Sequence, residues 1–176
     1  MNRQQPITIY YSQIASSPAG PLWVAVTDRG LYALEFDKPG ADFLQILKRR
    51  ASQAAIRHDE AHTLTTSQQI IEYFQTKRAV FELEIDLRGI AAFQQEALKA
   101  TLAIPYGQTA TYAEIAAAIG HPGAARAVGR AEATNPIPLV IPCHRVVGSD
   151  GKLHGYGGPG GINLKAQLLE MERSKQ

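Results

Sequence analysis

The chain has 176 residues, of which 45% are hydrophobic, and a net charge of +2 at neutral pH. This length allows one large or two small domains, and the apolar content is sufficient for a hydrophobic core. No apolar run approaches the roughly 20 residues that a membrane-spanning helix needs, so a membrane protein is excluded.

The charge is unevenly distributed along the chain. Residues 1–87 carry 9 Lys or Arg and 10 Asp or Glu, a net −1, whereas residues 88–176 carry 9 and 6, a net +3. A basic C-terminal half is compatible with a polyanionic partner, although many proteins without such a partner reach this charge.

The first half is predicted to be a small mixed domain of strands and helices. Its apolar runs are rich in β-branched and aromatic residues, and Asp28-Arg29-Gly30 supplies a hairpin turn between the second and third runs. The predicted strands are 7–11, 22–26 and 31–36, the predicted helices are 41–50 and 66–75, and residues 81–86 are extended. The sequence therefore predicts an N-terminal domain over residues 1–86 and a C-terminal domain over residues 87–176.

The second half is predicted to be mainly helical. Apolar residues from Phe93 to Ile104 recur at helical spacing, and Thr111 and Glu114 form a capping box that begins a second helix. That helix should end at Gly120, and Pro122 suits the first turn of the next helix. Two short helices with a tight turn predict either a helix-turn-helix or an ordinary αα-hairpin. A final helix is predicted over residues 163–172.

Two further segments of the second half are unusual. Residues 124–133 are mostly Ala and Gly, with Arg126 and Arg130 one helical turn apart, which allows close approach to a surface and contact with phosphates. A helix packed tightly against its neighbour explains the same pattern. The glycine-rich run at 155–161 lacks the spacing of a nucleotide-phosphate loop, so we expect it to allow backbone contact with a flat ligand.

Cys143 is the only cysteine in the chain. It follows three prolines in residues 135–142, and His144 and Arg145 come directly after it. A lone cysteine is most often a small buried hydrophobic residue. A stiff approach and cationic neighbours instead favour an activated thiolate nucleophile. A reactive thiol, with no secretory signal at the N-terminus, predicts a cytoplasmic location.

The segment Asn135-Pro136-x-Pro138-x-x-Ile141-Pro142-Cys143-His144-Arg145-Val146-Val147 closely resembles the active-site signature of the O6-alkylguanine-DNA alkyltransferases, also called methylated-DNA–protein-cysteine methyltransferases. The resemblance covers roughly the last ninety residues and, more loosely, the whole chain. It implies an α+β fold: a small N-terminal α/β domain with an antiparallel sheet, followed by a mainly helical, winged-helix-like domain that contains a helix-turn-helix. It also implies direct-reversal DNA repair, in which the alkyl group of O6-alkylguanine, and of O4-alkylthymine, moves irreversibly to the protein's own cysteine after the nucleotide is flipped out of the duplex.

The resemblance assigns chemical roles to four residues. Cys143 is the expected alkyl acceptor, and His144 the expected base that deprotonates it through a water. Glu172 is expected to orient and polarise His144. Tyr112 is expected to rotate the target phosphate and to donate a hydrogen bond to the guanine leaving group. Because the thioether is not regenerated, each molecule is expected to act once as a methyltransferase.

The resemblance also assigns residues that contact DNA and the extruded base. Arg126 is expected to enter the stack that the flipped base leaves, and its helix is expected to contact DNA through Ala125, Ala127 and Arg130. Asn135 is expected to link the helix-turn-helix to the active-site strand, and the carbonyls of Cys143 and Val146 to accept from the guanine amine. Tyr156 and Gly157 are expected to line the base pocket.

Some features depart from the family pattern or leave its details open. Gly157 stands where Ser or Ala is common, so the preference among alkyl groups is not fixed. With one cysteine, we expect neither the structural zinc that some members bind nor any other metal or cofactor. The expected partner is double-stranded DNA containing O6-alkylguanine, bound by a monomer or by several copies along the duplex.

Two other functions remain possible from the residues alone. A cysteine hydrolase would pair Cys143 with a distant histidine, for which the chain offers His58, His62, His121 and His154, and it would release many products per molecule. A helix-turn-helix regulator would recognise a fixed operator. A lesion-binding relative without transfer activity is less compatible with the chain, because its cysteine would be replaced.

Overall fold

The structure is a computed structural model that describes residues 7–156, 158 and 160–174. The chain folds as two compact units, Met1–Gly89 and Ile90–Gln176. The first unit is a sheet with helices and the second is mainly helical, so the predicted α+β class is confirmed. The domain boundary between residues 86 and 87 remains a prediction.

The N-terminal unit is built on a four-stranded sheet in the order β3-β2-β1-β4. The predicted antiparallel pairing holds for the first three strands, whereas β4 pairs parallel with β1 and was not predicted from the sequence. β4 has only four residues, of which three are exposed, so it carries no apolar alternation. The strands are β1 (Thr8–Ile14), β2 (Leu22–Thr27), β3 (Gly30–Phe36) and β4 (Ala55–His58).

The described part of this unit also contains two helices, α1 (Gly40–Arg50) and α2 (Glu60–Phe74). α2 begins six residues before the predicted start at residue 66, because Asp59 caps it by accepting a hydrogen bond from the His62 amide. One hydrophobic cluster of this unit consists of Ile9, Ala25, Tyr32, Ala33, Phe43 and Leu47.

The predicted extended segment at 81–86 crosses the start of β3. The Leu31 amide donates to the Glu84 carbonyl at 2.8 Å, and the Asp86 amide donates to the Leu31 carbonyl at 2.9 Å. Gly30 makes this crossing possible, because a Cβ there would lie 2.2 Å from the Glu84 carbonyl oxygen.

Within the described residues, the C-terminal unit contains four helices, two short parallel strands and the turn that carries the cysteine. Its helices are α3 (Ala92–Leu102), α4 (Tyr112–Ala118), α5 (Ala125–Ala133) and α6 (Ile162–Arg173), its strands are β5 (Ala110–Thr111) and β6 (Val146–Val147), and a 3-10 turn spans Cys143–Arg145. Buried residues of α3, α4 and α5 pack with Val146 in one hydrophobic cluster. This packing places the start of β6 against the helix-turn-helix.

Local sequence signals fix the ends of the helix-turn-helix. The Thr111 hydroxyl accepts from the Glu114 amide at 3.1 Å while the Glu114 carboxylate accepts from the Thr111 amide at 2.6 Å, as the capping box predicted. Gly120 ends the first helix region with a φ of 77°. The prediction for Pro122 was wrong: this residue lies in the turn, and α5 begins at Ala125.

Within the residues that the structure describes, no helix is both long enough and apolar enough to cross a bilayer.

Candidate active site

Cys143 is held at the start of the 3-10 turn by the segment that precedes it. The Ile141 amide donates to the Ile137 carbonyl at 2.9 Å, and the Cys143 amide donates to the Ile141 carbonyl at 2.8 Å. Asn135 secures the same segment, because its Nδ2 donates to the Ile141 carbonyl and its Oδ1 accepts from the Ile137 amide, both at 2.9 Å. Asn135 thus ties the segment after α5 to the cysteine turn, and its expected role as a link between the helix-turn-helix and the active-site strand stays a prediction.

The Cys143 thiol is buried, with 6% of the residue exposed. Burial raises the pKa of Cys143 to about 12, and the Glu132 carboxylate adds to the increase, while Asn135 and Lys165 lower it. The resting thiol is therefore protonated at neutral pH. Desolvation outweighs the lowering effect of Lys165 on this pKa. The activation of Cys143 as a nucleophile stays a prediction.

The histidine after the cysteine forms a buried network with Glu172. His144 Nε2 lies 2.8 Å from Glu172 Oε1, and both residues are 0% exposed. Burial lowers the pKa of His144 despite the carboxylate, so the imidazole is neutral and can accept a proton. Burial opposes the ionisation of Glu172, but hydrogen bonds from His144 and Arg145 bring its pKa down to about 2.

Arg145 completes this network at the carboxylate, not at the thiol. Its Nε donates to Glu172 Oε2 at 2.9 Å, its Nη2 donates to Oε1 at 2.9 Å, and its Nη1 donates to the Ile104 carbonyl at 2.6 Å. The Gly107 amide donates to the same Glu172 Oε2 at 3.0 Å. Two-point pairing between a guanidinium and a carboxylate is geometrically favourable, which explains why Arg145 is held by Glu172.

Lys165 is a site residue that the sequence reasoning missed. It is 1% exposed, and its Nζ donates to the Val146 carbonyl at 2.6 Å and to the His154 carbonyl at 3.2 Å. Its Nζ also lies 5.9 Å from the centre of the Tyr112 ring. Helical spacing is the sequence pattern that could have identified Lys165, because it falls on the same face of α6 as the other buried residues, 164, 168, 169 and 172.

An open groove of about 760 Å³ lies between the helix-turn-helix and the loop that follows β6. It brings together four residues that the sequence assigned to DNA or base contacts, Tyr112, Ala125, Arg126 and Tyr156. Burial is the main cause that raises the pKa of the Tyr112 and Tyr156 hydroxyls. Glu132 adds to the increase at Tyr112, and Cys143 adds to it at both residues, so both groove tyrosines are coupled to Cys143.

The remaining predicted residues lie around this arrangement. Ala127 and Arg130 are exposed on α5 and do not line the groove, and neither Arg126 nor Arg130 forms an ion pair with a described residue. The Val146 carbonyl already accepts from Lys165, so a guanine amine would share this acceptor. Gly157 lies outside the described residues.

Among the described residues, no group of three or more His, Cys, Asp or Glu side chains is arranged to hold a metal ion.

Comparison with known proteins identifies two family models, one in each unit. Residues 9–87 match the ribonuclease-like domain of 6-O-methylguanine DNA methyltransferase. Residues 92–174 match the DNA binding domain of the same protein.

The whole chain aligns with a named relative. The methylated-DNA–protein-cysteine methyltransferase of Methanosarcina barkeri is 42% identical over 93% of this chain and 98% of that protein. The chain belongs to this methyltransferase family. A relative of the same name from Mycobacterium bovis is 56% identical over 107 residues, and the aligned region spans 61% of this chain and 63% of that protein.

Solved structures of the family have the same fold. The crystal structure of Mycobacterium tuberculosis OGT in complex with DNA superposes with a TM-score of 0.79 and 43% identity, over 94% of each chain. The predicted fold, an N-terminal sheet domain followed by a helix-turn-helix domain, is therefore that of the methyltransferase family.

Proposed function

We propose that this protein repairs double-stranded DNA by transferring the alkyl group of O6-alkylguanine to Cys143, once per molecule. The observation that carries the proposal is the single buried thiol, which precedes a neutral, carboxylate-paired histidine, in the same unit as a groove lined by Tyr112 and Arg126. Residues 1–86 would form the N-terminal domain and residues 87–176 the transfer domain. O4-alkylthymine is the second proposed substrate, and the cytoplasm the proposed location.

The first chemical step is removal of the thiol proton. A thiol with a pKa of about 12 supplies little thiolate, so a base must act as the substrate arrives. His144 would take this proton through a water, and the resulting imidazolium would be stabilised by Glu172, whose carboxylate stays ionised. Arg145 keeps Glu172 in place, so its role is positioning.

The second step exchanges two bonds at the alkyl carbon. The sulfur–carbon bond forms as the bond from that carbon to guanine O6 breaks, and the electron pair of the broken bond goes to guanine. Guanine is a poor leaving group unless donors meet its developing charge, and Tyr112 would supply a hydroxyl donor. The carbonyls of Cys143 and Val146 would accept from the exocyclic amine, Tyr156 and Gly157 would border the base, and Asn135 would hold the thiol segment.

The target carbon is inaccessible inside a base stack, so the nucleotide must leave the duplex. Arg126 is exposed on α5 and lines the groove, which supports its entry into the vacated stack. Ala125 and Ala127 would let the helix approach the DNA closely, and Arg130 would contact a phosphate. Several monomers are proposed to bind along one duplex.

Intact mass after incubation with duplex DNA containing O6-methylguanine tests this function. One methyl group should add about 14 Da, and peptide mapping should place it on Cys143. Cys143→Ala should bind the same duplex with unchanged affinity and gain no mass. More than one repaired base per protein molecule would contradict single use and would favour a turnover enzyme.

A further inference from the structure

Glu132 is a buried carboxylate on the inner side of α5 for which the repair reaction gives no role. It is 7% exposed, and its Oε1 accepts a hydrogen bond from the Thr101 hydroxyl of α3 at 2.7 Å. Its Oε2 is buried and has no hydrogen-bond partner among the described residues. Buried polar oxygens are usually paired, so this one is an exception that needs an explanation.

The charged and titratable groups that interact with Glu132 come from three other elements of the unit. They are Tyr112 on α4, Cys143 on the 3-10 turn and Lys165 on α6. Lys165 is fixed by its hydrogen bonds to the Val146 and His154 carbonyls, so its ammonium group stays inside the site. Two buried groups therefore have opposite effects on the pKa of the Cys143 thiol: the Glu132 carboxylate raises it and the Lys165 ammonium group lowers it.

We infer that Glu132 is a positioning residue that sets the pH range of alkyl transfer by controlling, through its charge, how readily the Cys143 thiol ionises. An ionised Glu132 repels the forming thiolate and offsets the attraction of Lys165. A protonated Glu132 removes that repulsion and leaves Lys165 to favour the thiolate. This inference rests on the proposed role of Cys143 as the nucleophile.

Glu132 changes its charge near neutral pH, the range in which its effect on the ionisation of Cys143 matters. Burial raises its pKa to about 7, against the opposing effects of Thr101 and Lys165. Below that pH the carboxyl is neutral and the pKa of Cys143 is at its lower value. Above it the carboxylate forms and the pKa of Cys143 rises, so the gain in thiolate with increasing pH is partly cancelled.

The decisive variant is Glu132→Gln, which keeps the shape and the acceptor for Thr101 but cannot ionise. Because Cys143 is the only cysteine, the rate at which iodoacetamide adds one adduct reports this thiol alone. We expect wild type and variant to react equally near pH 6, and the variant to react roughly three- to tenfold faster near pH 8.5, as a pKa difference of up to about one unit requires. The same ratio should appear with O6-benzylguanine.

Thr101→Val is the second variant, and it keeps the test decisive if Glu132→Gln does not fold. Loss of the Thr101 donor should raise the pKa of Glu132, so the bend in the rate profile should move to higher pH. Parallel profiles for wild type and both variants, or an equal loss in Glu132→Gln at every pH, would overturn the inference. The iodoacetamide profile needs no DNA, so failure of the proposed repair activity would appear separately, as absent transfer by wild type.

Discussion

Both units of this chain bury charged side chains, but they use them differently. In the N-terminal unit Asp86 has 1% of its side chain exposed, and both of its carboxylate oxygens are bonded by Arg88, with Thr27 donating to Oδ2 at 2.6 Å. In the C-terminal unit Glu172 is similarly satisfied. Glu132 is not, because its buried Oε2 has no hydrogen-bond partner among the described residues.

The difference separates a structural cluster from a chemical one. Burial opposes the ionisation of Asp86, but the hydrogen bonds and charge of Arg88 together with the hydrogen bond from Thr27 keep its pKa below its usual value, so Asp86 stays ionised across the neutral range. Around Cys143, burial moves the pKa values of the thiol, His144, Glu132 and Lys165 towards the neutral forms. Groups whose charge can change near neutral pH are the ones that can move protons.

The sharpest test of this comparison is to remove the proton acceptor. His144→Ala and Glu172→Gln should each slow alkyl transfer by about a hundredfold or more, while DNA affinity changes little, because general-base catalysis is lost. Single-turnover transfer rates and binding isotherms on one duplex measure the two effects. The double variant should be no slower than the more severe single one, since the groups act as a unit. A loss equal to the product of the single losses would mean that they act independently.

Arg126 tests whether the groove serves DNA and not only the thiol. Arg126→Ala should slow transfer from duplex DNA by roughly a hundredfold, because extrusion of the nucleotide costs a few kcal/mol and the guanidinium offsets part of that cost. Reaction with free O6-benzylguanine should be nearly unchanged. Arg130→Ala is the comparison variant, since Arg130 is exposed on the same helix but does not line the groove. Its proposed phosphate contact should give a smaller, salt-sensitive loss on duplex DNA. Equal losses on both substrates would show that Arg126 supports the fold or the pocket.

Disrupting the N-terminal cluster of Asp86, Arg88 and Thr27 should lower stability without slowing the reaction. Arg88→Ala leaves the buried Asp86 carboxylate without its cation, which should lower the free energy of unfolding by about 3 kcal/mol. Urea unfolding measures this loss, and the rate with O6-benzylguanine, measured well below the unfolding transition, should match wild type. Arg78→Ala is a suitable control, because its ion pairs with Glu72 and Glu82 lie at exposed carboxylates. A slowed reaction in Arg88→Ala would remove the distinction between the two clusters.

The capping box should give the smallest effect. Thr111→Ala removes the hydroxyl that accepts from the Glu114 amide at the start of α4, which should lower the free energy of unfolding by about 1 kcal/mol. Thr111→Ser keeps the hydroxyl and should restore stability. Tyr112 is the first residue of this helix, so a rate loss much larger than the stability loss would reveal that the cap also orients the tyrosine.

Local sequence signals predicted those parts of the fold that depend on near neighbours. The capping box at Thr111, the helix end at Gly120 and the antiparallel strands β1 to β3 follow from side chains a few residues apart. The parallel strand β4 was missed, because its short, exposed sequence gains its place only by pairing with β1. The sequence placed Pro122 in the first turn of the next helix. In the structure Pro122 belongs to the turn after Gly120, and α5 begins only at Ala125.

The sequence alone determined that Cys143 is the nucleophile to examine, since it is the only cysteine and stands in a distinctive segment with His144. Tertiary structure decided which charges reach it. Arg145, two residues after Cys143, pairs with Glu172, whereas Glu132 and Lys165, more distant in sequence, shift the pKa of the thiol. The reason is physical: a pKa depends on burial and on charges in space, and neither is fixed until the helices pack.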